Sequence, residues 1–251
     1  MEYEWPSVQH TVSCLLSGSS SRPSLRLDSY TNPETTSLSA IIRLNAETRP
    51  NDLAYLYPDD ESMKSFQKVA FRELDQLVNR ASSWYSRIFS TEIAEANEKR
   101  TQPTIAVIGV GITFHYFITM LALLRLHIRV LLLSNKNSLL VHQHLLGLCG
   151  ALGCIVDEQN ADAVGREAGF RQGPVPLIST DELKSFAADV SIVGFRVDDE
   201  WNLPSVIIHS SGTTGMPKPI VHTNRSIALI ARHYRLYRDF YMENFQMCAP
   251  L

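Results

Sequence analysis

The feature that most constrains the fold is a short apolar run that ends in a loop of small polar residues. The run Ser205–His209 reads Ser-Val-Ile-Ile-His, and Ser210-Ser211-Gly212-Thr213-Thr214-Gly215-Met216-Pro217-Lys218 follows it directly. An aliphatic run that meets Gly, Ser and Thr predicts a buried strand that ends in a turn. The chain is therefore expected to contain a sheet that holds this loop at one edge.

The residue types in the loop predict phosphate binding. Gly212 and Gly215 permit a positive φ and carry no Cβ, so successive backbone N–H groups can converge on one anion. Hydroxyl donors and one mobile cation complete the set: Ser210, Ser211, Thr213, Thr214 and Lys218. These residues are the candidate polyphosphate-binding residues.

Two other interpretations of the loop fit less well. A Walker P-loop continues directly into a helix, whereas Pro217 and Pro219 flank Lys218 and exclude a helix at this point. A flexible Ser/Gly linker rarely follows a hydrophobic strand or ends in Pro-Lys-Pro. We therefore interpret Ser210–Lys218 as an anion-binding loop.

This stretch resembles the signature loop of AMP-forming adenylating enzymes, which include acyl-CoA ligases and peptide-synthetase adenylation domains. The resemblance implies that the loop closes over the β- and γ-phosphates of ATP, which carries Mg²⁺, with Lys218 as the catalytic cation. A small carboxylic acid would attack the α-phosphate to give acyl-AMP and pyrophosphate. The acyl group would then pass to CoA or to the phosphopantetheine thiol of a carrier.

A narrower resemblance rests on the residues around the loop. Ile208-His209 before it and Pro219-Ile220 after it are more similar to the fungal synthetase-like subgroup of secondary metabolism, which includes carboxylic acid reductases. That resemblance implies a carrier domain and a reductase or thioesterase domain downstream as partners. Most adenylating enzymes have Gly where this chain has Pro219.

Repeated strand–helix units predict the fold class. The strand-like runs Ile105–Ile108, Val130–Leu133 and Cys154–Val156 alternate with apolar helices, the second of which spans Leu139–Cys149 with Asn137 or Ser138 as its cap. We expect an α/β fold: a doubly wound, largely parallel sheet with flanking helices, corresponding to part of the N-terminal large domain of an adenylate-forming enzyme.

Other elements follow from periodicity and turn chemistry. They are a short helix around Leu38–Leu44, a strand at Leu53–Tyr57, a helix from Val69, an edge strand at Val175–Ile178, a capped helix from Thr180, a strand at Ile220–His222 with a cap at Thr223 or Asn224, and a strand at Phe245–Leu251.

Two regions are expected along the chain. Residues 1–36 are rich in Ser and predict a poorly structured arm. By the resemblance, residues 37–251 form the first subdomain of an adenylation domain and lack the ribose-binding Asp and the lysine of the small C-terminal domain. We therefore expect a truncated part that is inactive or nearly so alone; the alternative is a non-catalytic remnant or binding protein.

The net charge and the cysteine content limit the possible binding partners and the possible cellular compartment. A net charge of −3 gives no basic surface for nucleic acid. The four cysteines form no Cys-x-x-Cys pair, and the acidic N-terminus does not resemble a signal peptide. We expect a cytoplasmic protein.

Three other kinds of site are weighed. The uncharged stretch Thr104–Leu124 is long enough for a membrane span, but Gly109-Val110-Gly111 interrupts it, which favours a buried strand, turn and helix. The same turn lacks the third glycine of a dinucleotide fingerprint, since Phe114 stands there. His142 and His144 lie two apart, so one helix would point them to different sides, and we expect no metal site built by protein side chains.

Overall fold

The structure, a computed structural model, describes residues 37–58, 65–111, 113–157, 170–186, 192–210 and 215–230. The predicted arm at 1–36 and the predicted strand Phe245–Leu251 lie outside these ranges. All statements below concern the described residues.

Two sheets are present in the described ranges, one of two strands and one of six. The strands are β1 (Leu53–Pro58), β2 (Phe66–Ala70), β3 (Thr104–Gly109), β4 (Arg129–Ser134), β5 (Gly153–Val156), β6 (Pro174–Pro176), β7 (Pro204–His209) and β8 (Pro219–Thr223). The pair β1–β2 is antiparallel, and the larger sheet has the order β6-β5-β3-β4-β7-β8. Its first five strands are parallel, and β8 is an antiparallel edge strand.

The helices connect and cover these strands. They are α1 (Leu38–Thr48), α2 (Phe71–Ile88), α3 (Ser90–Lys99), α4 (Phe114–Arg125), α5 (Leu139–Leu148) and α6 (Thr180–Ser185), and residues 224–230 are also helical. Side-chain caps begin several of them, among them Ser138 on α5 and Ser179 on α6. The Thr223 hydroxyl accepts from the Ser226 N–H at the start of 224–230. Of the predicted alternatives, Ser138 therefore caps α5 and Thr223 caps the helix at 224–230.

The sheet is doubly wound around β3. The chain passes from β3 through α4 to β4, then returns through α5 to β5 on the other side of β3. Such crossovers are right-handed. Because β4 and β5 lie on opposite sides of β3, the two crossovers run in opposite directions along the sheet and place α4 and α5 on opposite faces. Two core clusters confirm this arrangement: Ile105 and Val107 of β3 pack with α4, whereas Ala106 and Ile108 pack with α5.

The apolar helix after β3 is α4, and it is buried along its whole length. It packs between the sheet and the outer helices α1 and α2. This is the predicted strand, turn and buried helix. Among the described residues, the structure contains no helix long and apolar enough to cross a membrane.

The start of α2 corrects one predicted boundary. Helical periodicity suggested a start at Val69, but Val69 belongs to β2, where it pairs with Tyr55 and is buried. The helix begins at Phe71. Pairing with β1 satisfies the backbone of residues 66–70, and that long-range contact leaves no trace in local periodicity.

The turn after α4 lies at the amino-terminal edge of the sheet, where β4 begins. Arg125 is buried there and donates to Asp75 Oδ1 at 2.7 Å, Asn79 Oδ1 at 2.6 Å and Ser39 Oγ at 2.9 Å. Burial lowers the pKa of Arg125, and the Asp75 carboxylate opposes that shift. One guanidinium therefore joins α1, α2 and α4.

Candidate phosphate-binding site

The candidate loop leaves the sheet at its carboxyl-terminal edge. In the parallel register Gly109 lies opposite Ser134, and β7 runs parallel to β4, so β3, β4 and β7 end at the same edge. In open α/β sheets, ligands bind outside this edge. The position is the one that a phosphate-binding loop requires.

The ends of the loop are held together as the mouth of a hairpin. His209 pairs with Pro219 across β7 and β8. The Ser210 N–H donates to the Lys218 carbonyl at 3.0 Å, and the Lys218 N–H donates to Ser210 Oγ at 3.2 Å. The predicted strand after the loop is confirmed as β8, and the loop is therefore a β-hairpin connection.

Lys218 provides an exposed cation at this mouth. Its side chain is exposed, while the neighbouring Pro217 is buried and holds the backbone. Within the described part of the chain, no carboxylate lies within ion-pair distance of Lys218. The ammonium group is free to contact an anionic ligand.

The other predicted loop residues divide into two groups. Ser210 and Gly215 are described, whereas Ser211, Gly212, Thr213 and Thr214 lie outside the described residues. Gly215 is exposed, does not adopt a positive φ, and would accept a Cβ without any contact within 4 Å. Gly215 therefore does not use, in this structure, the positive φ that a glycine permits.

A network of polar side chains supports the hairpin mouth from the neighbouring strand. Asn137 Nδ2 lies 3.2 Å from His209 Nε2, and His209 Nδ1 lies 3.2 Å from the Ser210 carbonyl oxygen. Asn137 belongs to the turn between β4 and α5, so the network joins two loops at one sheet edge. Sequence reasoning missed it, because no local spacing connects residues that are 72 positions apart.

His142 anchors the same turn. It is buried, and its Nε2 lies 3.0 Å from the Ser134 carbonyl oxygen. Burial lowers the pKa of His142 and outweighs the hydrogen bond to Ser134, which acts in the opposite direction. In the described ranges, no group of three or more His, Cys, Asp or Glu side chains could hold a metal ion.

Close packing explains the first glycine of the Gly-x-Gly turn after β3. A Cβ on Gly109 would lie 3.2 Å from Asp157 Oδ2 and 3.3 Å from the Tyr116 ring. Phe114, which stands at the place of a third glycine, is buried as the first residue of α4. The glycine therefore allows the end of β3 to approach its neighbours closely.

The comparisons with known proteins decide the family. The AMP-binding enzyme family matches residues 42–251. The chain belongs to the AMP-binding enzyme family. The hairpin mouth just described thus lies in a chain whose relatives are adenylating enzymes.

Individual relatives are distant and longer. A non-ribosomal peptide synthetase of Acremonium egyptiacum is 24% identical over 178 residues, which are 66% of this chain and 16% of that protein. The N-terminal subdomain of Klebsiella oxytoca NpsA has a TM-score of 0.54 at 19% identity, covering 78% of this chain and 44% of that one. The o-succinylbenzoate coenzyme A synthetase MenE of Bacillus subtilis, in complex with AMP, has a TM-score of 0.53 at 18% identity, covering 81% and 45%.

These likenesses establish the fold. The α/β architecture with a mostly parallel sheet and flanking helices is that of the N-terminal domain of adenylate-forming enzymes, as predicted. The chain spans less than half the length of these solved relatives.

Proposed function

We propose that this chain supplies the phosphate-holding part of an enzyme that activates a carboxylic acid as an acyl-adenylate. Ser210–Lys218 would hold the β- and γ-phosphates of ATP. The observation that carries the proposal is the exposed Lys218, without a carboxylate partner among the described residues, at the hydrogen-bonded mouth of a hairpin on the carboxyl-terminal sheet edge. Membership of the AMP-binding family supports it.

The chemistry assigns a charge-neutralising role to the loop. A carboxylate oxygen attacks the α-phosphorus, the bond from that phosphorus to the bridging oxygen breaks, and pyrophosphate leaves with the electron pair. The described residues that can stabilise the leaving group are the Lys218 ammonium group and the Ser210 hydroxyl. The hydroxyl accepts from the Lys218 N–H, so its own proton remains available for donation.

The residues fit phosphates better than they fit a bare metal ion. Lys218 and Ser210 are a cation and a hydroxyl donor. In this proposal Mg²⁺ arrives on the nucleotide, bound by phosphate oxygens. Mg²⁺ would supply further neutralisation of the phosphate charge.

The acceptor and the wider protein are part of the same proposal. The acyl group would pass to CoA or to a carrier phosphopantetheine thiol, with a reductase or thioesterase domain downstream as in the fungal synthetase-like subgroup. The similarity to a peptide synthetase supports a carrier. Residues 37–251 would form the first subdomain after an arm at 1–36. A cytoplasmic location is part of the same proposal.

Calorimetric titration tests whether the loop binds the β- and γ-phosphates of ATP. We expect Mg·ATP to bind the 251-residue chain and AMP to bind more weakly, because AMP lacks the β- and γ-phosphates. Lys218→Ala should weaken Mg·ATP binding about tenfold or more, the size of a lost charge-assisted contact. Lys68→Ala is the matched control, since Lys68 is an exposed lysine on the separate β1–β2 sheet. Equal binding by the two variants would remove Lys218 from the site.

A second assay separates catalysis from binding alone. ATP–pyrophosphate exchange on this chain, with a panel of aryl and aliphatic acids, reports acyl-adenylate formation directly. Exchange that depends on an added acid supports an enzyme. Mg·ATP binding without exchange fits both a part that is inactive alone and the alternative, a non-catalytic binding protein, whereas a failure to bind Mg·ATP would contradict the proposed phosphate site.

A further inference from the structure

The network at the hairpin mouth has a defined donor and acceptor order. The Ser210 carbonyl oxygen can only accept, so His209 Nδ1 must carry the proton in their 3.2 Å contact. With Asn137 Nδ2 as the donor in the second 3.2 Å contact, His209 Nε2 must be the acceptor. The two contacts together select the neutral Nδ1–H tautomer of His209.

The support for His209 reaches the protein interior. The Asn137 N–H donates to the Ser134 carbonyl oxygen at 3.2 Å. That oxygen also lies 3.0 Å from Nε2 of His142, which is buried on α5. The Asn137 side chain therefore extends from a turn that is fixed at the end of β4.

The other side of the network reaches Lys218. The Ser210 carbonyl belongs to the peptide group that opens the loop, and because that group is planar, a bond to its oxygen fixes its plane. Ser210 also exchanges two hydrogen bonds with the backbone of Lys218. The His209 imidazole orients Ser210, and Ser210 in turn holds the backbone from which the Lys218 side chain extends.

We propose that His209 is a positioning residue for the phosphate loop: Asn137 holds it as the Nδ1–H tautomer, and it orients Ser210 and, through Ser210, Lys218. The proposal rests on the proposed function for its benefit to ligand binding. The tautomer and the hydrogen bonds can be tested without any ligand.

Two substitutions of His209 separate hydrogen bonding from side-chain volume. His209→Asn can place an amide N–H near the Nδ1 position, whereas His209→Leu fills space without a donor. We expect hydrogen exchange at the Ser210 and Lys218 amides to become about fivefold faster in His209→Leu, the factor for one neutral hydrogen bond. His209→Asn should stay close to wild type.

The same pair should differ in ligand affinity. Tripolyphosphate should bind about fivefold more weakly to His209→Leu and near normally to His209→Asn. His144→Leu is the control, because His144 lies on α5 but takes no part in the network. A loss in both His209 variants of the same size would overturn the donor role.

Substitution of Asn137 tests the tautomer. In ¹⁵N-labelled wild type at neutral pH, imidazole nitrogen spectra should show a protonated Nδ1 and an unprotonated Nε2 for His209. Asn137→Asp replaces the donor with an acceptor, so both nitrogens should become protonated while Nδ1–H still serves Ser210. Asn137→Ala should mix the two neutral tautomers and speed exchange at Ser210 and Lys218.

The outcomes distinguish the positioning role of His209 from the proposed phosphate binding. A wild-type Nε2–H tautomer, or unchanged exchange at Ser210 and Lys218 in His209→Leu, would overturn the positioning role whatever the ligand does. If the tautomer and exchange results hold but tripolyphosphate does not bind wild type, the proposed function fails and the positioning of Ser210 and Lys218 stands.

Discussion

The two edges of the parallel sheet differ in whether their basic side chains are paired with carboxylates. At the amino-terminal edge, Arg125 ends α4 and His127 lies in the turn that follows, and each has a carboxylate partner, Asp75 and Glu200 respectively. At the carboxyl-terminal edge, Asn137 and His209 contact each other without a described carboxylate partner, and Lys218 is exposed and likewise without a described carboxylate partner.

This difference separates stability from binding. A paired, buried charge stabilises a fold only with its partner present, and its removal leaves an uncompensated charge. An exposed charge without a partner contributes little to stability and remains available for a ligand. We therefore expect substitutions at the amino-terminal edge to change unfolding, and substitutions at the carboxyl-terminal edge to change ligand binding.

The largest expected effect is at the Arg125 ion pair. Asp75→Ala leaves the guanidinium buried, with 4% of its side chain exposed, and removes its carboxylate partner. The free energy of unfolding should fall by about 3–5 kcal/mol in urea titrations. Glu98→Ala, an exposed carboxylate on α3, is the control. A loss below about 1 kcal/mol would mean that the pair behaves as a surface salt bridge.

The backbone contact beneath the same turn gives the next effect. A Cβ on Gly194 would lie 2.8 Å from the Leu126 carbonyl oxygen, which the Phe195 N–H already holds at 2.8 Å. Gly194→Ala should lower the unfolding free energy by about 1–3 kcal/mol. Gly147→Ala on α5 meets nothing within 4 Å and should instead raise it by about 0.5–1 kcal/mol. The same sign for both would contradict the packing explanation.

The pH dependence of stability should reveal His127. Although burial lowers the pKa of His127, hydrogen bonds to Glu200 and to the Phe195 carbonyl raise it overall above 6.5. Its stabilising contribution is therefore complete below about pH 6.5 and is lost as the pH rises through the higher folded-state value.

Glu200 sets the acidic limit of that window. The hydrogen bond from His127 lowers the pKa of Glu200, so its contribution is present above about pH 4.5 and disappears as the pH falls through the lower folded-state value. Thermal unfolding from pH 5 to 8 should show a decline in wild type that His127→Gln flattens. Parallel pH profiles would exclude the pair as the cause.

The smallest stability effect is expected at the carboxyl-terminal edge. Gly215→Ala adds a methyl group in open space at a φ that any residue adopts, so stability should change by less than about 0.5 kcal/mol. If the bound loop requires a left-handed Gly215, tripolyphosphate affinity should nevertheless fall. A clear loss of stability without ligand would show that Gly215 is already constrained.

The sequence predicted what local patterns determine. The buried run of β7, the caps at Ser138 and Thr223 and the helical face from Phe71 all follow from neighbours in the chain. Strand β2 was missed because its partner β1 defines it, and α3 because its first residue follows the end of α2 almost directly.

The candidate site shows the same limit. The loop composition predicted Lys218 and Ser210 as candidates, and the two residues lie together at one hairpin mouth. The contact between Asn137 and His209 depends on β4 and β7 being neighbours in the sheet. Parallel pairing across a long connection is a property of topology, and residue spacing does not encode it.

Chemical-shift mapping of backbone amides during a titration with magnesium pyrophosphate tests the central claim most directly. We expect the perturbed amides to cluster at the carboxyl-terminal edge, with Ser210, Gly215 and Lys218 foremost, and Lys218→Ala to reduce the response. Perturbations centred on the turn around Arg125 and His127, or a response that Lys218→Ala leaves unchanged, would contradict the assignment of this hairpin mouth as the phosphate site.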